Sequence, residues 1–288
     1  MKIIVVGKDY FAERFALLLG KLGLKFSTTP RFTRTAISGY GMVLLSGKEC
    51  SSKNILSCLK EGSHVFSEQF IFEKHSEIGA VDFARENSLK LQLGFFDVFN
   101  PAVKEIKKLM SSQRVFSLFF RTLGPMQPSK LNIIDDIAIQ NIGISNYLLE
   151  GRQPEIISAS TQDILNNCFL HLRKGHASIF IYANKETVFK ERTLSVFGQN
   201  IMIDSDISNQ KLLFLDSGPG KPSLAGTGYE SRKEFFIRKS EPLALALKEF
   251  ISSKTNPMDY GMIRQNLETA YKAKKAIKKL PGGKACPQ

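Results

Sequence analysis

Apolar and polar positions follow two regimes along this chain. Up to about residue 100, short apolar runs alternate with stretches whose apolar positions recur every three or four residues. Residues 2–6 form the first run, β-branched and bounded by Gly7. Phe15, Leu17, Leu18, Leu19 and Leu22 then recur at helical spacing. Strands are expected at 24–27, 42–45, 64–67 and 89–93, and helices at 52–61 and 74–86. The interval between the second and third strands is short, so one crossover is abbreviated. Strands alternating with helices predict a parallel, doubly wound sheet.

The second regime begins after Asn100-Pro101. A basic amphipathic helix (102–110) leads to a strand (115–122), a loop with two prolines (124–130) and a long apolar helix (133–149) that Gly151 is placed to terminate. Strand-like runs then crowd together at 156–160, 168–172, 178–182, 188–196, 201–203 and 212–215. Turn signals such as Lys174-Gly175 and Asn184-Lys185 separate them, which predicts an antiparallel meander. Alternation through Phe169, His171, Arg173 and Ile179, Ile181 is read as loading one side of this sheet with apolar groups, a surface suited to a homodimer. A glycine- and proline-rich loop (218–228) and two helices, 242–252 and 260–280, close the chain, with a frayed tail at 281–288. The fold class is therefore α/β: a Rossmann-like parallel sheet over 1–97, then an α+β domain with a mostly antiparallel open sheet over 98–288.

Composition changes this picture little. At 288 residues the chain can bury two cores, and 43% hydrophobic with 23% charged residues is ordinary for a globular protein. No apolar run reaches membrane-spanning length, and residues 2–6 belong to a strand rather than to a secretory signal. Cys50, Cys58, Cys168 and Cys286 have no metal-ligand or CxxC spacing, which suits reduced thiols in a cytoplasm. His64, His75, His171 and His176 likewise suggest no metal. The net charge of +13 is concentrated in part in Lys272, Lys274, Lys275, Lys278, Lys279 and Lys284. Without accompanying aromatic motifs, and near a helix C-terminus, these read as a solvated face rather than as a nucleic-acid or membrane contact.

The strand–turn–helix at the N-terminus carries the first candidate chemistry. In the pattern G-x-G-x-x-G/A, Gly7 fills the first place and Ala12 the third, but Asp9 stands where the second glycine lets a pyrophosphate approach the backbone. The unpaired N–H groups and dipole of a helix start favour an anion there, and Asp9 opposes it. The end of the second strand usually supplies an acid for the ribose hydroxyls. Here it reads Thr28-Thr29-Pro30-Arg31-Phe32-Thr33-Arg34, with hydroxyls and guanidinium groups. This favours NADP over NAD if a dinucleotide binds, the alternative being a surface loop with two arginines. The candidate cofactor-binding residues are Gly7, Lys8, Asp9, Tyr10, Phe11, Arg31, Arg34, Ser46 and Glu68.

The order of elements and several local words resemble the Gfo/Idh/MocA family of NAD(P)-dependent oxidoreductases, distantly in the manner of biliverdin reductases. The family's A-L-x-A-G-K-H-V-x-x-E-K-P stretch is matched by residues 58–70, from Cys58-Leu59 through Gly62, His64-Val65 and Glu68-Gln69-Phe70. Gly94-Phe95 to Asn100-Pro101 match its G-F-x-R-R-F-N-P, and Asp136 to Gly143 its D-x-x-x-H-x-x-D helix. Phe197-Gly198 with 201–204, and Glu241-Pro242-Leu243 through Phe250, match two later words. The resemblance implies a Rossmann domain, then an α/β domain whose open sheet often forms a dimer face, with nucleotide and substrate held between the two. It also implies a small-molecule substrate, and packing roles for His64 and Tyr147.

The departures bear on chemistry. The family's E-K-P lysine and proline are Gln69 and Phe70, its helix histidine is Gln140, the second aspartate is Gly143, and a histidine common before the earlier helix is Ser51. Glutamine hydrogen-bonds but does not titrate, so neither Gln69 nor Gln140 can act as a general acid or base, a role worth about 10²–10⁴-fold in rate. The candidate catalytic set is Gln69, Gln140, Asp136 and Glu68, with Asn141 beside them. Two function classes stay open. One is an NAD(P)H-dependent reductase of a conjugated C=C or C=N small molecule, whose product charge is delocalised. The other is a catalytically silent relative that binds a nucleotide or ligand as a sensor or scaffold.

Overall fold

A computed structural model describes residues 1–69, 76–124, 131–217 and 231–278. The expected loop 218–228, the tail 281–288, Phe70, residues 74–75 and all but Gly124 of the loop 124–130 lie outside them. Two compact units are present, residues 1–96 with 243–267, and residues 97–242 with 268 onward.

The first unit contains β1 (Ile3–Val6), α1 (Tyr10–Lys21), β2 (Phe26–Thr29), the single-turn α2 (Arg34–Ile37), β3 (Met42–Leu45), α3 (Ser52–Lys60), β4 (His64–Ser67), α4 (Ser76–Glu86) and β5 (Leu91–Leu93). The sheet is parallel throughout, in the order β2-β1-β3-β4-β5. β1 and β3 are buried at every residue, as expected of strands covered on both faces. β2 starts two residues later than its apolar pattern suggests. The C-terminal closure of α1 consumes the intervening chain, with Gly23 N donating to Gly20 O and Leu24 N to Leu19 O. β5 is shortened in the same way, because Leu89 N closes α4 on Ala84 O.

The second unit follows with α5 (Pro101–Met110), β6 (Val115–Leu123), a π-helical segment (Ile134–Ala138) that runs into α6 (Ile139–Leu148), β7 (Glu155–Ser160), β8 (Asn167–Lys174), β9 (Ala177–Asn184), β10 (Glu191–Gly198), β11 (Ile201–Asp206), β12 (Lys211–Asp216) and β13 (Ser231–Phe236). α6 ends on Leu149 in an extended conformation, so Gly151 lies beyond the cap, although its φ of +109° needs glycine. α7 (Pro242–Ser252) and the start of α8 (Tyr260–Lys278) return to the first unit, and the rest of α8 belongs to the second.

The eight-stranded sheet runs β13-β12-β11-β10-β6-β9-β8-β7. It is mostly antiparallel, but it is not the simple meander expected. β6 inserts between β9 and β10 and pairs parallel with β9, so Asn184-Lys185 opens a crossover rather than a hairpin. The facing of the strands also corrects the sequence reading. Phe169 pairs with Tyr182 and His171 with Phe180, which places Phe180 and Tyr182 on their face. Ile179 and Ile181 point to the opposite, covered face and are fully buried, because strand side chains alternate with period two. β13 was not anticipated, since half of Ser231–Phe236 is charged and more than half its residues are exposed.

The core of the first unit gathers around Phe66. Its ring packs on Phe15 (5.6 Å between centroids), Phe96 (5.3 Å) and Phe250 of α7 (5.3 Å). Lys90 lies over the Phe250 ring and donates to the carbonyls of Phe250 and Ser253. Tyr260 donates to Leu89 O (2.5 Å), and Arg264 Nη1 reaches both oxygens of Asp82 at 3.0 Å.

Candidate functional site

Strand order in the first unit reverses between β1 and β3, and crevices at such a switch point are where open α/β sheets hold ligands. Gly7 follows β1 and Ser46-Gly47 follow β3. Gly7 has φ +142°, and a Cβ there would collide with Ser46 Oγ, so the two loops approach as only glycine permits. Asp9 is the N-cap of α1, its Oδ1 accepting from Phe11 N (2.9 Å) and Ala12 N (3.1 Å). Its other oxygen lies against Gly47 so closely that a Cβ on Gly47 would strike it. Gly47 N donates to Glu68 Oε2 (3.4 Å), while Gln69 Nε2 donates to Gly47 O (3.1 Å). Six residues singled out from sequence, Gly7, Asp9, Ser46, Glu68, Gln69 and Phe11, thus meet around one turn.

The remaining members of the set lie outward. Lys8 is exposed, and Tyr10 is 68% exposed and edge-on to Phe11. Arg31, just beyond β2, is exposed and makes no ion pair among the described residues; Arg34 pairs with Glu61 at 3.4 Å. A dinucleotide fits this turn on two counts, glycine at the close approach and a helix N-terminus, and the strand end beside it is basic and carries no ribose-binding acid. Against it stands the Asp9 carboxylate, which already holds two of the N–H groups a pyrophosphate uses. An incoming phosphate therefore exchanges for an anion of the protein itself.

In the second unit Asp136 and Gln140 lie one turn apart on one helix face. Asn132 caps the start of this helix through Ile134 N and Asp135 N. Each of the adjacent carboxylates has its own lysine: Asp135 pairs with Lys274 (2.9 Å) and Asp136 with Lys185 (2.5 Å). Burial pushes the Asp135 carboxyl up from its ordinary range, with Lys274 pulling it back. Lys185 and Asp136 have only 9% and 15% of their side chains exposed, and Lys185 also donates to Leu131 O (3.1 Å). Gln140 Oε1 and Asn141 Oδ1 are buried and accept no hydrogen bond among the described residues, while Asn141 Nδ2 donates to Thr122 Oγ1 (3.1 Å). Buried acceptors left open cost free energy, and two of them fall here on consecutive residues. The π-helical turn that carries Asp136 is an irregularity frequent at such sites.

Sequence reading missed Lys185, which it took for a turn residue. The signal is tertiary: the parallel pairing of β6 with β9 brings the end of β9 beside the π-helical turn. His64 and Tyr147 pack as the resemblance implied, His64 Nδ1 accepting from Lys90 N and the Tyr147 ring lying 4.1 Å beneath Lys107 Nζ. Cys50, Cys58 and Cys168 are buried and free, and desolvation pushes each thiol up to about 12, which removes them as nucleophiles. Among the described residues no cluster could hold a metal ion, and no helix is long and apolar enough to cross a membrane.

No family model and no curated protein matches this chain. Solved structures do match its fold. UDP-N-acetylglucosamine 3-dehydrogenase GnnA from Acidithiobacillus ferrooxidans is 16% identical, with 96% of this chain and 97% of that chain covered and a TM-score of 0.79. The dehydrogenase MviM from Clostridium difficile is 14% identical, with 96% and 99% covered and a TM-score of 0.75. A 3-ketoreductase from Actinomadura kijaniata, solved with TDP-benzene and NADP, is 11% identical, with 96% and 98% covered and a TM-score of 0.73. At these identities the likeness establishes a shared fold.

Proposed function

We propose that the chain is a divergent Gfo/Idh/MocA-type oxidoreductase that uses NADP(H) to reduce a conjugated C=C or C=N bond in a small molecule. The observation that supports this reading most directly is the combination of a fold shared end to end with dehydrogenases and a polar helix face with unmet acceptors at Gln140 and Asn141. When bound, the dinucleotide supplies hydride. The chain's own residues bind and orient: Gly7 and the N-terminus of α1 receive the phosphates, Arg31 the 2′-phosphate, and Asp136, Gln140 and Asn141 the substrate.

The test is calorimetric titration. NADPH is expected to bind more tightly than NADH, and Arg31→Ala to erase the difference; no binding of either dinucleotide at millimolar concentration defeats the reading. Asp9→Gly is expected to tighten NADPH about fivefold, the equivalent of the ~1 kcal/mol that one solvated like charge near the phosphates costs. Gln69→Ala and Gln140→Ala weaken substrate orientation by at most a few kcal/mol each, and neither removes an ionisation from the pH–rate profile. Loss of several orders of magnitude in turnover in Asp136→Asn or Glu68→Gln, with dinucleotide binding intact, shows instead that a carboxylate system carries the proton.

A second reading is favoured by one specific feature. Asp9 and Gln69 both spend their polar atoms on the protein itself, as a cap and as a clasp on Gly47, as in a catalytic turn converted to structure. A catalytically silent ligand-binding protein fits that feature, and the NADPH titration separates the two readings.

We further propose that the chain forms a homodimer through the open face of the eight-stranded sheet. Phe119, Phe169 and Tyr182 are each at least 40% exposed there. Phe119 stacks on Phe180 at 4.5 Å, and Phe180 on His171 at 4.5 Å. Contiguous exposed aromatics of this kind mark interaction surfaces. Light scattering is expected to report twice the monomer mass, and Phe119→Asp to reduce it to the monomer; a monomeric wild type across a wide concentration range contradicts the proposal.

A further inference from the structure

A cavity of about 510 Å³ opens in the second unit where the last turns of α5 and α6 meet the turn from β8 to β9. Nothing in the proposed reaction uses it. Its lining includes the basic side chains of Lys107, Arg114, Lys174 and His176 against one carboxylate, Glu150. That carboxylate is committed, since Glu150 pairs with Lys107 at 2.6 Å. Lys174 is different from the others because only 5% of it is exposed. Its ammonium donates to the neutral Asn146 Oδ1 (2.8 Å) and makes no ion pair among the described residues. An ammonium has three protons to donate, and a buried charge without a counter-charge is costly. Burial pushes the amine down to about 8, with the Glu150 carboxylate pulling it the other way.

We propose that this cavity binds a small oxyanion, a phosphate or carboxylate group, with Lys174 as its floor and Arg114 and His176 at its rim. The anion supplies a direct counter-charge where Glu150, held by Lys107, acts on Lys174 only without an ion pair. Such a charge costs stability in the ligand-free protein, and a costly buried charge that lines a cavity is a candidate for binding.

Thermal unfolding of the full chain, with inorganic phosphate or succinate as probes against chloride at equal ionic strength, tests this. The wild type is expected to gain Tm with the oxyanion. Lys174→Met is expected to unfold at or above the wild-type temperature without ligand and to bind the probe at least about tenfold more weakly, as loss of a charged hydrogen bond implies. A purely structural lysine predicts the reverse, a lower Tm and an unchanged response. The wild-type response should also fade as pH rises through about 8, where Lys174 loses its proton. A Lys174→Met variant that fails to fold counts as the structural outcome and against the proposal. Arg114→Ala with His176→Ala, read by phosphorus NMR line broadening of added phosphate, tests the rim separately: broadening lost in that variant supports the site, and broadening unchanged from wild type refutes it. No wild-type response to either probe, or an equal response in the variant, overturns the proposal. Phosphate also has access to the α1 turn, so it is the difference in response between wild type and Lys174→Met, and not the wild-type response alone, that reports on this cavity; that difference does not depend on whether NADPH binds.

Discussion

Replacing Lys185 by methionine is expected to lower the unfolding free energy by about 3–5 kcal/mol, the range for removing one partner of a buried ion pair. The variant leaves the Asp136 carboxylate, 15% exposed, without the ammonium now 2.5 Å away, and it also removes the donor to Leu131 O. The stranded charge carries most of this penalty, and the charged hydrogen bond to Leu131 O is lost with it. The double variant Lys185→Met with Asp136→Leu should recover most of the loss, because replacing both partners by apolar groups is often neutral. Urea denaturation of the two single variants and the double variant measures this. A loss below about 1 kcal/mol in the single variant would place the pair among surface ion pairs of little consequence and remove it from any account of the site. The same variant informs chemistry. If Lys185 serves only to hold Asp136, Lys185→Arg should restore stability and substrate affinity together.

The second large effect is expected at Phe250, which lies far along the chain from the strands it packs against. Phe250→Ala should cost about 3–5 kcal/mol, the range for truncating a buried phenylalanine. The side chain is fully buried, meets Phe66 edge-on at 5.3 Å and carries Lys90 above its ring. Phe250→Leu, which keeps most of the volume, should cost less than half as much. If truncation proves nearly neutral in chemical denaturation, α7 does not belong to the core of the first unit as described.

These two residues show why the chain was only partly legible. Lys185 follows a strand and precedes polar residues, which is the local signature of a turn. Its pairing with Asp136 depends on β6 lying beside β9, a contact that links residues some sixty positions apart. Phe250 sits on a helix whose apolar spacing states that something is buried but not against what. Asp9 is an intermediate case. Its identity reads directly as a departure from a phosphate-binding turn, yet its role as N-cap, and its closeness to Gly47 from the end of β3, appear only once the two loops are placed together.

By itself the sequence determined most of the elements, though not β13 or the single-turn α2, because apolar period two or near 3.6 reports locally which face is buried. It also determined the class of the first sheet, through strict alternation of strand and helix, and the loss of titrating groups at Gln69 and Gln140, which follows from residue identity alone. Only the tertiary structure decided the strand order of the second sheet, which face of β9 meets solvent, the return of α7 to the first unit, and the partners of Asp136 and Lys174. Those depend on free energy gained between distant segments. Backbone pairing and side-chain burial across long loops carry no local signature, because the entropy of closing a loop grows only slowly with its length, so many partners compete on nearly equal terms until packing selects one.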